Sequence, residues 1–229
     1  KEYDSKKGLN WYDYGARHYD AVLGRFTTND RFAEKYYSMS PYQYGANSPV
    51  GNIDVNGDSI IIKPNANGII DQIKVLFGYD TKFQKDVKAD LFQLKQDDKK
   101  VADIIGKLEE SKNIHYITMP KKGEYNSTGF NADKVKKNIS QGSEIYYNPY
   151  NRRRGRNDSD MRTPRIGLAH ELQHSFDVDK KVATYERTKN GILLMDIRAI
   201  NTENRIRKVI GEPKRTMYGT QKVPKELLE

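Results

Sequence analysis

His170 and His174 stand four residues apart in the run His170-Glu171-Leu172-Gln173-His174. On a helix that spacing turns both imidazoles to one face, where they can hold one zinc ion at about 2.0–2.1 Å. Glu171 lies on the same turn and can reach a water on that ion and take its proton. This is the division of labour by which an H-E-x-x-H pattern hydrolyses peptide bonds. The flanking Ile166, Leu168, Ala169, Leu172 and Phe176 are apolar, so the helix is expected to be buried and to fix its ligands. Two ordinary helix histidines are the alternative. A closed structural zinc site is disfavoured, because such sites take four protein ligands, mostly Cys and His. The chain has no cysteine, and its remaining histidines, His18 and His115, stand in unrelated contexts.

A catalytic ion needs one more protein ligand, here a carboxylate on a downstream helix packed across the first. Asp196 and Glu203 are the candidates. They are seven apart, about two helical turns, so both face the same way with Ala199 and Ile200 between them. Asp177 and Asp179 are too close in sequence to fold back easily, and Glu186 falls in the turn-like stretch Tyr185-Glu186-Arg187-Thr188-Lys189-Asn190-Gly191.

These groups need a scaffold, and the pattern after residue 58 supplies one. Ser59-Ile60-Ile61-Ile62-Lys63 is a β-branched run stopped by Pro64, hence a strand. Phe83, Val87, Leu91 and Leu94, then Val101, Ile104, Ile105 and Leu108, recur at helical steps and predict amphipathic helices over 83–96 and 99–110. Residues 114–119 and 144–148 read as strands closed by Pro120 and Pro149. Thr163-Pro164 opens the helix that carries the histidines, and a second periodic stretch from Ile192 to Ile210 stops at Gly211 and Pro213. Residues 1–58 differ: aromatic residues alternate there with Gly, Asn, Asp and Pro, as in short hairpins that lean on something larger.

Composition narrows the class. Hydrophobic residues make up 36% and charged residues 31%, and no apolar run approaches the ~18 residues of a membrane span. The absence of cysteine excludes disulfides and thiolate nucleophiles. The net charge of +9 suits nucleic acid, a membrane surface or an acidic protein, and equally a surface of solvated lysines. Lys1-Glu2-Tyr3-Asp4 has no basic region followed by an apolar one, so export is expected to use a larger partner or machine.

Gly8-Leu9-Asn10-Trp11-Tyr12-Asp13-Tyr14-Gly15-Ala16-Arg17-His18-Tyr19-Asp20 and Gly24-Arg25-Phe26 resemble the Rhs repeat-associated core. The resemblance continues through Ser40-Pro41-Tyr42-Gln43-Tyr44 and Asn47-Ser48-Pro49 to Ile53-Asp54-Val55-Asn56-Gly57. It implies a large enclosing β-shell, a C-terminal toxin beginning after residue 57, delivery into a target cell by a secretion system in bacterial competition, and a cognate immunity protein. It also implies that Asp30 and Asp54 belong to a self-cleavage centre. The family's Asp-Pro is Asp30-Arg31 and Asp54-Val55 here, so self-cleavage is expected to be slow or absent; the alternative is that both aspartates merely occupy turns.

Asp196-x-x-Ala199, Glu203-Asn204-x-x-Arg207 and Gly211-x-Pro213-x-Arg215-x-x-Tyr218 are similar to bacterial effector peptidases of the NleD-like class. That resemblance implies that the first acidic residue is the third zinc ligand. The family generally has Glu there, so the shorter Asp196 must approach closer, or Glu203 takes the role; Asp196 is preferred, with the other orienting a histidine. Arg215 and Tyr218 repeat the Arg-x-x-Tyr spacing of clostridial neurotoxin light chains, where the pair stabilises the tetrahedral intermediate, an effect of roughly 2.7–4 kcal/mol per donor in comparable sites. A surface arginine and a packing tyrosine are the alternative.

The expectation is an α+β chain: a β-rich Rhs core fragment over 1–58, then a zincin-like metallopeptidase toxin over 59–229 with a small mixed sheet and the H-E-x-x-H helix. Its cofactor would be Zn2+ and its substrate a target-cell protein lying antiparallel to an edge strand at 144–148; a generic core strand there is the equal alternative. Arg152, Arg153, Arg154 and Arg156 form a basic loop that would recognise an acidic substrate or immunity protein, or stay solvated. The rival readings are a nucleic-acid-targeting toxin and a decayed binding module. Against the first, no H-N-H-like or Asp/Asn-rich constellation for phosphodiester cleavage is present, so no nucleic acid is expected.

Overall fold

The computed structural model describes residues 2–4, 10–14, 17–30, 40–44, 60–65, 72, 79–151 and 162–229. Asp54, the boundary between residues 58 and 59 and the arginine-rich loop at 152–156 lie outside them. Among the described residues the chain is a mixed α+β structure with five α-helices and small sheets.

The front segment forms the short hairpins its turn residues suggested. Strands β1 (Glu2–Asp4), β2 (Trp11–Asp13), β3 (His18–Asp20) and β4 (Arg25–Phe26) pair antiparallel in chain order. Tyr14, Tyr19 and Tyr44 pack around Phe26, which is fully buried, and the Arg17 guanidinium caps its ring at 3.7 Å. Arg17 also pairs with Asp30 at 2.9 Å, so this aspartate is part of the cluster's ionic frame.

The second sheet carries β5 (Ile60–Ile62), β6 (His115–Thr118), β7 (Ser127–Gly129) and β8 (Ser143–Tyr146) in the order β5-β6-β8-β7. The first three named in that order run parallel and β7 closes antiparallel on β8. The register sets Ile62 beside Ile117 and Ile117 beside Ile145, a buried row on one face. Of the two readings of residues 144–148, the edge strand is corrected and the core strand holds: β8 is paired on both sides, and among the described residues the edges of this sheet are β5 and β7.

Helices α1 (Lys82–Asp97) and α2 (Lys99–Glu109) lie within two residues of their predicted ends. Thr81 and Gln84 form a reciprocal capping box, and Asp98 both ends α1 and caps α2 by accepting from the N–H groups of Lys100 and Val101. Their apolar faces meet Ile117, Ile145, Leu168 and Leu172 in one core. The short α3 (Ala132–Lys136) follows β7.

Gly142, just before β8, is a close-approach position. A Cβ there would stand 2.1 Å from the Ile114 carbonyl oxygen, on the backbone that leads into β6. Gly142→Ala is therefore expected to force two core strands apart, at a cost of about 3 kcal/mol, the upper range for overpacking. Thermal unfolding checks this, and an unchanged melting temperature would contradict the close approach.

Helix α4 (Pro164–Asp179) carries the histidines, and thirteen of its sixteen residues are buried. Polar side chains on such a helix must find partners inside the protein. Thr163 precedes Pro164 at the first helical position, as expected, but its hydroxyl donates to Glu212 at 2.8 Å and does not cap the helix.

Helix α5 (Leu194–Ile210) packs across α4 and ends at Gly211, whose φ of +75° is the left-handed conformation glycine adopts at low cost. Arg198 Nε donates to Asp177 at 2.9 Å, and Thr202 Oγ1 donates to Gln173 Oε1 at 2.7 Å. Because 177 faces 198 and 173 faces 202, the two helices run antiparallel. A hairpin of β9 (Met217–Tyr218) and β10 (Gln221–Lys222) then returns over the start of α5, with Tyr218 and Val223 packed on Ile192, Ile197 and Ile200. No helix among the described residues is long and apolar enough to cross a membrane.

Candidate metal centre

One buried group joins α4 to α5: ligand atoms of His170, His174 and Asp196 all lie within 4.8 Å of one another. His170 Nε2 and His174 Nε2 are 3.2 Å apart, and His174 Nε2 is 3.6 Å from Asp196 Oδ1. A tetrahedral ion with bonds of about 2.0–2.1 Å separates its ligand atoms by about 3.4 Å, so the spacing fits one such ion. The donor set of two imidazoles and a carboxylate suits zinc, which in catalytic sites takes three protein ligands. This buried trio can hold a metal ion.

The protonation of His174 agrees with that use. Burial, with His170 and Arg198 nearby, pushes His174 down to about 3, so its imidazole is neutral and has a lone pair to give. Burial raises Asp196 against the opposing influence of His170, the hydrogen bond with Tyr218, and Arg215. His174 Nδ1 is buried without a hydrogen-bond partner among the described residues.

His170 is held from behind. Its Nδ1 lies 2.8 Å from Glu203 Oε1, an oblique contact that turns Nε2 towards His174. The same oxygen accepts from Arg162 at 2.7 Å and Arg215 at 2.6 Å, while Arg207 Nε stands 3.7 Å from Oε2. Glu203 is completely buried. Burial opposes its charge, but Arg162, His170 and Arg215 outweigh it and hold the carboxyl far below its ordinary value. Gly167 makes room for this arrangement, since a Cβ there would lie 2.8 Å from Arg162 Nη2.

Glu171 is buried on the same turn as His170, and its carboxyl is raised by burial against His170, the Thr128 hydroxyl and Arg162. Thr128 Oγ1 donates to Glu171 Oε2 at 2.9 Å. Tyr218 stands beside Asp196, and burial together with that carboxylate pushes its phenol up to about 12, so it stays a donor near neutral pH. Arg215 reaches Glu203 and the Met217 carbonyl, with its guanidinium 5.4 Å over the Tyr218 ring.

The residues singled out in the sequence thus fall into two layers. His170, His174 and Asp196 converge; Glu203, Arg215 and Tyr218 back them. The weaker candidates are engaged elsewhere: Asp177 with Arg198 and Gln173, Asp179 with Ser111 and Asn113, while Glu186 is exposed. Sequence reasoning missed Arg162 and Thr128. Arg162 adjoins the readable Thr163-Pro164 helix start, which is a signal of place but not of partner. Thr128 lies in Asn126-Ser127-Thr128-Gly129, where no apolar alternation marks a strand.

No family model matches the chain, and no solved structure does. Over 57 residues, 25% of this chain, it is 47% identical to salivary gland surface protein 1 of Aedes aegypti, of which that stretch is 2%. The likeness is to a small piece of a far longer protein, and it assigns no activity to the buried His-His-Asp group.

Proposed function

We propose that the chain is a zinc-dependent endopeptidase, the zincin-like toxin of an Rhs system carried over residues 59–229 behind the end of an Rhs core. The carrying observation is the convergence of His170, His174 and Asp196 with Glu171 on the adjoining position of the same helix turn.

A zinc ion bound by that trio would polarise the substrate carbonyl and allow water to attack near neutral pH. Glu171 would accept the water's proton and return it to the leaving amine. Its raised carboxyl, in a buried setting, is suited to both halves of that exchange. Tyr218 would donate to the developing oxyanion, and Arg215, already bonded to Glu203, would add positive field beside it. An extended peptide can add to the outer edge of β7, the strand next to Glu171, by main-chain hydrogen bonds. The enclosing shell and an immunity protein would be its other partners, and the target a protein of the recipient cell.

The test is metal analysis of the purified chain. One equivalent of zinc is expected, lost in His170→Ala and in His174→Ala. Equal metal content in all three proteins would overturn the reading.

A further inference from the structure

Thr128 is the middle residue of β7, half-buried between two exposed neighbours, Ser127 and Gly129. Its hydroxyl lies 2.9 Å from Glu171 Oε2 and 3.1 Å from the Glu171 carbonyl oxygen. A hydroxyl has one proton to give, so the two acceptors compete for it. The carbonyl has another donor: Ser175 Oγ bonds it at 3.2 Å, and Ser175 in turn accepts from Ser143 at 2.8 Å, which leaves the Ser175 proton free for Glu171. The Thr128 proton therefore goes to the carboxyl oxygen, the closer of the two acceptors. Among the described residues no donor bonds the other oxygen, Oε1.

The aim of that hydroxyl is set by the sheet. Thr128 pairs with Ile145 of β8, and a β-branched side chain in a strand has few rotamers open to it. A carboxylate on three free torsions is thereby tied at one oxygen to a fixed strand.

We propose that Thr128 is a positioning residue for Glu171: its hydroxyl holds Oε2 so that Oε1 is presented to the attacking water, a role that rests on the peptidase reading above. The strand on which a peptide would lie thus also aims the base. The Thr128 side chain therefore acts through Glu171 and touches no metal ligand.

The zinc-loaded full chain is compared as wild type, Thr128→Val and Thr128→Ser, with Glu171→Gln as the inactive reference and denatured casein as the probe. Thr128→Val keeps the shape and removes the donor. It is expected to lower kcat by about 10-fold, the scale of orienting contacts, with KM, zinc content and melting temperature unchanged. Thr128→Ser is expected to stay close to wild type. High-resolution crystal structures of the three proteins supply a second readout: one Glu171 rotamer in wild type and Thr128→Ser, a rotated or split carboxylate in Thr128→Val. An unmoved Glu171 in Thr128→Val, or equal impairment of both variants, would overturn the proposal. Wild type no more active on casein than Glu171→Gln would count against the peptidase reading, and the crystal structures would still decide the role of Thr128.

Discussion

Glu171→Gln is expected to retain one full equivalent of zinc and to lose about a thousandfold or more in peptide hydrolysis, within the 10²–10⁴ range of general acid–base catalysis. Glutamine keeps the length and the Thr128 contact, since its amide oxygen can still accept that hydroxyl. What it lacks is a basic oxygen that can take and return a proton. The metal trio does not include Glu171, and its three donor atoms come from His170, His174 and Asp196. Zinc content and activity must therefore separate in this one variant, whereas they fall together in either histidine variant. A binding module with a decayed site predicts no such separation, because it has no activity to lose. The measurement is zinc stoichiometry beside hydrolysis of the same protein substrate, and a fully active Glu171→Gln would end the mechanism.

How much of this was legible beforehand differs from element to element, for physical reasons. Phe83, Val87, Leu91 and Leu94 recur at helical steps because one face of α1 has to be dry, and all four are buried in the main core. The four-residue histidine spacing is equally direct, since one helix turn both determines and displays it. β7 is different: three small or polar residues carry no alternation, and their place is settled only by pairing with β8, seventeen residues onward at Thr128–Ile145. The choice between edge and core for β8 was open for the same reason, since only its pairing with β7 decides it. The pairs from α4 to α5 were half legible. Seven-residue spacing put Asp196 and Glu203 on one face, but only the antiparallel packing decides that Asp196 meets His174 while Glu203, about 10 Å further along the axis, meets the back of His170. Charge was the least informative: the net +9 drew attention to the arginines at 152–156, whereas Arg162, Arg207 and Arg215 surround one buried glutamate.

That last arrangement carries the other large effect. Glu203→Ala is expected to destabilise the metal-free protein by roughly 3–5 kcal/mol, the cost of leaving buried charge without its partner. Three guanidiniums converge on Glu203, two of them at 2.6 and 2.7 Å, and Glu203 itself has no exposed surface. Glu212 takes part of Arg207 at 2.9 Å but does not replace the lost anion at Arg162 or Arg215. Asp196→Ala removes a carboxylate whose charge burial already disfavours, so its stability cost is much smaller. Zinc affinity runs the opposite way. Loss of Glu203 frees His170 to rotate and is expected to weaken zinc by about 10–100-fold, the range for groups that orient a ligand. Loss of Asp196 removes a ligand and must exceed that. Each variant therefore has a large effect where the other has a small one, which a general loss of folding cannot imitate. Glu203→Gln, which keeps the volume and one acceptor, should fall between wild type and Glu203→Ala on the stability axis. Melting in chelator and zinc competition titrations read the two axes. If Glu203→Ala lost more zinc affinity than Asp196→Ala, Glu203 would be the ligand, and the 2.8 Å contact to His170 Nδ1 would have to be exchanged for one with the metal.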